Sequence, residues 1–219
     1  MYIQLNGQIL FYEKYGEGSP VILVHGNGET HDIFDALIPV LAKQHTVYAP
    51  DSRGHGLSAT PKELHYADMA EDMANFIQVL DIQKPAFLGF SDGGIVGLLL
   101  ASKYPDMISS LVVAGANLQP KDLKRSLLWR MKRAYRKSKD PLAKLMLTEP
   151  DIAPERLAFI SVPTLVLAGQ KDIVQPAATK QIADSIAGSI LEILPKETHT
   201  SYVVHSAALA PQLLEFFNS

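Results

Sequence analysis

The stretch "LGFSDGGIVG", residues 88–97, sets Ser91 between Gly89 and Gly93, directly after one apolar run and directly before another. A serine on a sharp turn from strand into helix can act as a nucleophile. Flanking glycines relieve the backbone crowding, and the free N–H groups of the helix start converge near its hydroxyl. The same serine can instead cap the following helix, and the pentapeptide alone does not separate the two roles. A hydroxyl nucleophile needs a general base, itself oriented by an acid. Two further loops supply candidates: Asp172 follows "PTLVLAG" within three residues, and His199 follows "ILEILP" within four. Together Ser91, His199 and Asp172 have the chemistry for acyl transfer through a covalent intermediate, which needs no cofactor.

Other residues compete for these roles. His205 is the nearest rival to His199, but it falls at the start of a predicted final helix rather than in the loop directly after a strand. Asp51 ends an earlier strand, and Asp106 and Asp151 lie in connecting segments, so Asp172 is the acid in the right position. His25, Glu29 and His31 lack the H-E-x-x-H spacing of a helical metal site, and no metal is expected. Gly26-Asn27-Gly28 after "VILVH", with Asp51 ending the next strand, partly matches a dinucleotide-binding fingerprint, although His31 occupies the third glycine position. That leaves an alternative of a different class: a dinucleotide- or ligand-binding domain with an inert Ser91.

The elements that must position these residues alternate. Two short patterned stretches, 2–5 and 8–13, flank the turn dipeptide Asn6-Gly7 and predict an antiparallel hairpin. The runs "VILVHG", "HTVYAPD", "PAFLGFS", "SSLVVAGA", "PTLVLAG" and "ILEILP" are continuously apolar and rich in branched residues, as strands buried on both faces of a parallel sheet are. Between them, helical spacing appears over about 31–43, 67–80, 93–103, 176–187 and 206–217. The expected fold is α/β: a mostly parallel sheet with an antiparallel start and helices on both faces. Ligand sites in such sheets form beyond the carboxyl ends of the strands, where HGNG (25–28), DSRGHG (51–56), SDGG (91–94), QKD (170–172) and ETHT (197–200) all fall. The interval 118–150 breaks the alternation. Leu123, Leu127, Met131 and Ala134 or Tyr135 recur there at helical spacing, which predicts a small basic helical insertion.

The motifs "VILVHGNG", "DSRGHGLS", "GFSDGG" and "PTLVLAGQKDIV", with the late histidine, span residues 21–199 and resemble the α/β-hydrolases of the compact esterase, lactonase and perhydrolase type. The chain order Ser91, Asp172, His199 is the order of that family. The resemblance implies one domain over 1–219, a short cap at about 118–150, and cleavage of carboxylic esters or lactones. It also implies an oxyanion hole from the backbone N–H groups of Asn27 and Asp92. In the family the base usually follows a glycine, whereas here Thr198 precedes it. The Ser91-Asp92-Gly93-Gly94 elbow is similar to that of valacyclovir hydrolase and related amino-acid-ester hydrolases, which implies that the Asp92 carboxylate helps bind a substrate amine; an acid in the first turn of a helix is equally explained by the macrodipole. Trp129 and Tyr135 in the cap are candidates for an aromatic wall beside the substrate, or for anchoring the cap.

Composition sets the remaining bounds. With 219 residues, 47% hydrophobic and 20% charged, the chain is long enough for a sizeable core. It has no cysteine, which excludes thiolate chemistry and disulfides and is compatible with a cytoplasmic setting. The start lacks the pattern of a secretory signal, and no apolar run approaches a membrane span. A net charge of −3 argues against general nucleic-acid affinity. Charge is nonetheless uneven: between Lys121 and Lys144 ten Lys or Arg face only Asp122 and Asp140, about +8, leaving about −11 elsewhere.

Overall fold

The computed structural model describes residues 1–5 and 7–218. Strands β1 (Tyr2–Leu5) and β2 (Gln8–Tyr15) pair antiparallel with Leu5 opposite Gln8. Gly7, at φ +87°, lies in the turn between them, and Asn6 of the expected turn dipeptide lies outside the described residues. β2 also pairs antiparallel with β4 (His45–Pro50). The other neighbours are parallel: β3 (Ser19–Val24), β5 (Ala86–Phe90), β6 (Ser110–Ala114), β7 (Thr164–Lys171) and β8 (Ile190–Thr198). The described residues form one eight-stranded sheet in the order β1-β2-β4-β3-β5-β6-β7-β8.

The unbroken apolar runs have a direct structural cause. Successive side chains of a strand point to opposite faces, and here both faces are covered. In β3, Ile22 and Val24 enter one core cluster while Val21 and Leu23 enter the other. β6 divides in the same way, Leu111 and Val113 against Val112 and Ala114. Helices α2 (Tyr66–Val79), α3 (Asp92–Lys103) and α6 (Pro176–Asp184) cover the first face. Helices α1 (Ile38–Leu41) and α7 (Ala210–Phe217) cover the second.

Two helical expectations are shortened by proline. The segment predicted as one helix over 31–43 is a 3-10 turn at His31–Phe34 followed by α1. Pro39 has no N–H to donate back to Asp35, so a continuous helix loses a rung there. The last helix starts at Ala210, next to Pro211, rather than at 206. His205 therefore lies in a turn, at φ +50°, with its ring exposed and paired with Asp35 at 3.0 Å.

Between β6 and β7 the insertion folds as two helices, α4 (Arg125–Ser138) and α5 (Pro141–Thr148). Lys139 breaks them apart in a left-handed conformation, and the Asp140 side chain caps α5 by accepting from the Leu142 N–H. On α4 the partly buried Leu127, Leu128 and Met131 pack against Val174 and Ala178. Leu123 joins that cluster from outside the helix, as a bridge partner of Val174.

Candidate active site

Ser91 sits directly after β5 at the start of α3, with φ +53° and ψ −112°. A non-glycine residue held there stores roughly 1–3 kcal/mol of strain, and the surroundings enforce it. The Ser91 N–H donates to the Ala114 carbonyl at 2.7 Å, while the Gly94 and Ile95 N–H groups donate to the Ser91 carbonyl. Gly93 is required by close approach: a Cβ on it would stand 2.1 Å from the Val24 carbonyl oxygen of β3. Although Ser91 occupies the cap position of α3, its side chain makes no capping hydrogen bond. Its hydroxyl lies instead 3.1 Å from His199 Nε2.

The other nitrogen of that ring, His199 Nδ1, lies 2.7 Å from Asp172 Oδ1. Burial works against the Asp172 carboxylate, but the His199 hydrogen bond and charge outweigh it, helped by the N–H groups of Val174 and Gly169, and hold its pKa below the ordinary range. A carboxylate accepts only, so Nδ1 carries the proton and Nε2 is left to accept from the serine. Three strand ends thus converge: β5 brings Ser91, β7 brings Asp172 and β8 brings His199. The missing glycine before His199 also has an explanation. Thr198 is the last residue of β8, is not among the positive-φ residues, and exchanges hydrogen bonds with Ser201, so its backbone suits any side chain. The tight spot is Gly115 after β6, where a Cβ would lie 2.8 Å from the His199 ring.

The loop after β3 closes the other side. Gly26 backs onto Ser91, so that a Cβ there would stand 3.1 Å from Ser91 Cβ. The N–H groups of Asn27 and Asp92 have no acceptor among the described residues, whereas those of Gly26, Gly93, Gly94 and Ile95 are taken. His25 braces this loop rather than acting as a base. Its Nδ1 donates to the Gly26 carbonyl at 2.8 Å, and its Nε2 accepts from the Ser52 N–H at 3.0 Å. Burial, with the neighbouring His55, pushes its pKa down to about 4, so it is neutral near pH 7.

Two neighbours carry roles that the sequence reading did not give them. Glu29, weighed there only as a metal ligand, accepts the Gly26 N–H at 3.0 Å, and burial raises its pKa. Tyr66, at the start of α2, is an electrostatic neighbour of the Asp92 carboxyl. That carboxyl is buried, and Asn27 Nδ2 donates to it at 2.9 Å. Burial raises its pKa, the opposite of Asp172, because its partners are a neutral amide and a phenol rather than an imidazole already oriented toward it. No sequence periodicity links Tyr66 to Asp92; only the packing of α2 against α3 brings them together.

Asp51 does not match a ribose-binding acid. It is fully buried and accepts from the His31 N–H, the His31 ring and the Leu57 N–H. Those bonds hold its pKa down against the cost of burial. Arg53 is committed likewise, to Asp72 and Asp68. The expectation of Trp129 beside the substrate is not met by its placement. Since Leu128 and Met131 turn inward, Trp129 turns outward, 63% exposed, with the Arg133 guanidinium 5.6 Å from its ring centre.

Residues 19–145 match the family model of the alpha/beta hydrolase fold. The chain belongs to the α/β-hydrolase family. The fold and family resemblance read from the motifs is thereby borne out, and the dinucleotide-binding alternative falls away. The hydrolase is 29% identical to the human serine hydrolase BPHL over 92% of its own length and 80% of that protein's. Among solved structures, an esterase from Exiguobacterium antarcticum superposes on the hydrolase with a TM-score of 0.86, at 22% identity, covering 100% of this chain and 99% of that one. The enol-lactonase from Burkholderia xenovorans LB400 gives a TM-score of 0.84 at 21% identity, covering 100% of both chains. Among the described residues, no helix is long and apolar enough to cross a membrane.

Proposed function

We propose that this α/β-hydrolase cleaves carboxylic esters or lactones in two steps, with Ser91 as nucleophile. His199 Nε2 takes the Ser91 proton as the hydroxyl attacks the carbonyl carbon, then delivers it to the leaving alcohol; in the second step it deprotonates water, which releases the acid. Asp172 keeps the imidazole in the tautomer that can do this and stabilises its protonated form. The Asn27 and Asp92 N–H groups receive the negative charge that develops on the carbonyl oxygen, a contribution typically worth a factor on the order of 100–1,000 in turnover. The observation that carries this reading is the unbroken Ser91–His199–Asp172 hydrogen-bond chain on a strained turn, beside two N–H groups left without acceptors.

Residues 1–219 form one domain on this reading, with 118–150 as its cap, and the cysteine-free sequence supports a reducing, cytoplasmic setting. A panel of short acyl esters and lactones tests the function. Turnover that disappears in Ser91→Ala supports it, and turnover that survives Ser91→Ala contradicts it. Amino-acid esters are a second substrate class, favoured by the buried Asp92 carboxyl one residue from the nucleophile. If Asp92 binds their amine, Asp92→Asn lowers kcat/KM on amino-acid esters far more than on simple acyl esters; equal losses remove the idea.

A further inference from the structure

Half of the chain's twenty Lys and Arg residues lie between Lys121 and Lys144, which is 24 of 219 residues. Helix α4 carries Arg125, Arg130, Lys132, Arg133, Arg136 and Lys137 and no acid, and all six are exposed. Among the described residues none of the ten cations of this segment is in a salt bridge, against three of the ten elsewhere, Arg53, Lys103 and Lys180. The segment that carries this charge packs two residues from Asp172. The Lys124 N–H donates to the Ile173 carbonyl, one residue from Asp172, and Leu127, Leu128 and Met131 pack on Val174. Asn27 Nδ2 reaches the Leu142 carbonyl of α5 at 3.4 Å. At one seam between cap and body, Lys62, Lys139, Lys144 and His65 line a cavity of about 140 Å³, in which Glu63 is the acidic lining residue. At another, Lys124 shares a cavity of about 70 Å³ with Asp172.

A solvated basic face on a soluble helix needs no ligand when acids are interspersed with it. Here they are not, and the acids of the chain are concentrated in the body beneath. An excess of about eight positive charges on a segment packed beside a site raises the local concentration and encounter rate of anions and repels cations. We propose that the substrate of this hydrolase is an ester bearing a negatively charged group, a carboxylate or a phosphate, which the cap draws to Ser91. This rests on the serine-hydrolase reading, adds the charge of the substrate to it, and stands against the amino-acid-ester class, whose ammonium group the cap repels.

The test uses a matched pair of activated esters: the para-nitrophenyl ester of adipic acid with its far carboxylate free, and the same ester with that carboxylate capped as a neutral methyl amide. At low salt and neutral pH, kcat/KM is expected to be about tenfold higher for the anionic ester, and the advantage to shrink at high salt. In Arg130→Glu/Lys132→Glu/Arg136→Glu/Lys137→Glu the ratio of anionic to neutral kcat/KM falls toward one or below, the neutral ester serving as internal reference. The salt series on the wild type gives the same answer if that variant folds poorly. Cleavage of both esters with equal kcat/KM and equal salt dependence overturns the proposal and leaves the hydrolase reading intact. Loss of both activities in the unmodified protein, with Ser91 unreactive, overturns the two together.

Discussion

Helices α3 and α4 are of similar length, 12 and 14 residues, and both border the site, yet they are built in opposite ways. α3 buries every residue except Lys103, and Gly93 lets its first turn press against β3. α4 buries none, and its apolar packing on Val174 and Ala178 comes from Leu127, Leu128 and Met131. The difference separates two tasks. The element that holds Ser91, the proposed nucleophile, is specified by steric necessity on all sides. The element proposed to select what approaches carries its charge on exposed side chains and touches the body through a few apolar ones.

The contrast is broken most severely by chemistry at α3. Ser91→Ala removes the attacking oxygen and lowers kcat on any ester substrate by a factor on the order of 10⁴ to 10⁶, measured by single-turnover kinetics; none of the α4 cations has an effect approaching that. Packing comes next. Gly93→Ala drives a methyl group into the Val24 carbonyl and is expected to cost about 3 kcal/mol in denaturant unfolding, whereas Ser126→Ala on the exposed face of α4 stays within about 0.5 kcal/mol.

How much of this was legible in the sequence follows the same division. That Ser91, Asp172 and His199 come together was readable because each follows a strand whose apolar run is unmistakable, and their separation along the chain is irrelevant once those strands lie side by side. The fold was readable for the same reason. The Asp92–Tyr66–Asn27 cluster was not, since its members come from three elements and nothing in their spacing connects them. The break in the helix at 31–43 was written in Pro39 but outweighed by the periodicity around it. Trp129 was misplaced because helical spacing gives a face only after its inward residues are known. Leu123 had been counted as one of them, but it lies before α4, while Leu128 is the residue that packs inward.

Two buried groups sharpen the comparison through pH. The His25 ring is held neutral, its pKa down to about 4 from an ordinary 6.5. Its unfolded form takes up a proton first, so stability falls as pH drops through the window from about 6.5 to about 4, by about 3 kcal/mol. Thermal melts of the wild type across that window, set against His25→Asn, read this loss as a difference that the variant lacks. Asp92 has the reverse sign. With its folded pKa raised, stability is lost as pH rises past the ordinary carboxylate range. Asp92→Asn is therefore expected to be more stable than the wild type near pH 7, the gain shrinking in acid. A loss of stability that does not vary with pH would show the carboxylate to be favourably buried instead.

The central claim is that Ser91 is a nucleophile activated by its own strand-end partners, and the most direct measurement of it is the rate of covalent labelling by a fluorophosphonate probe, with the modified peptide located by mass spectrometry. The account predicts stoichiometric labelling of Ser91 in the folded protein, slowed by several orders of magnitude in His199→Ala. Labelling at another residue, or at Ser91 with a rate indifferent to His199, would contradict it.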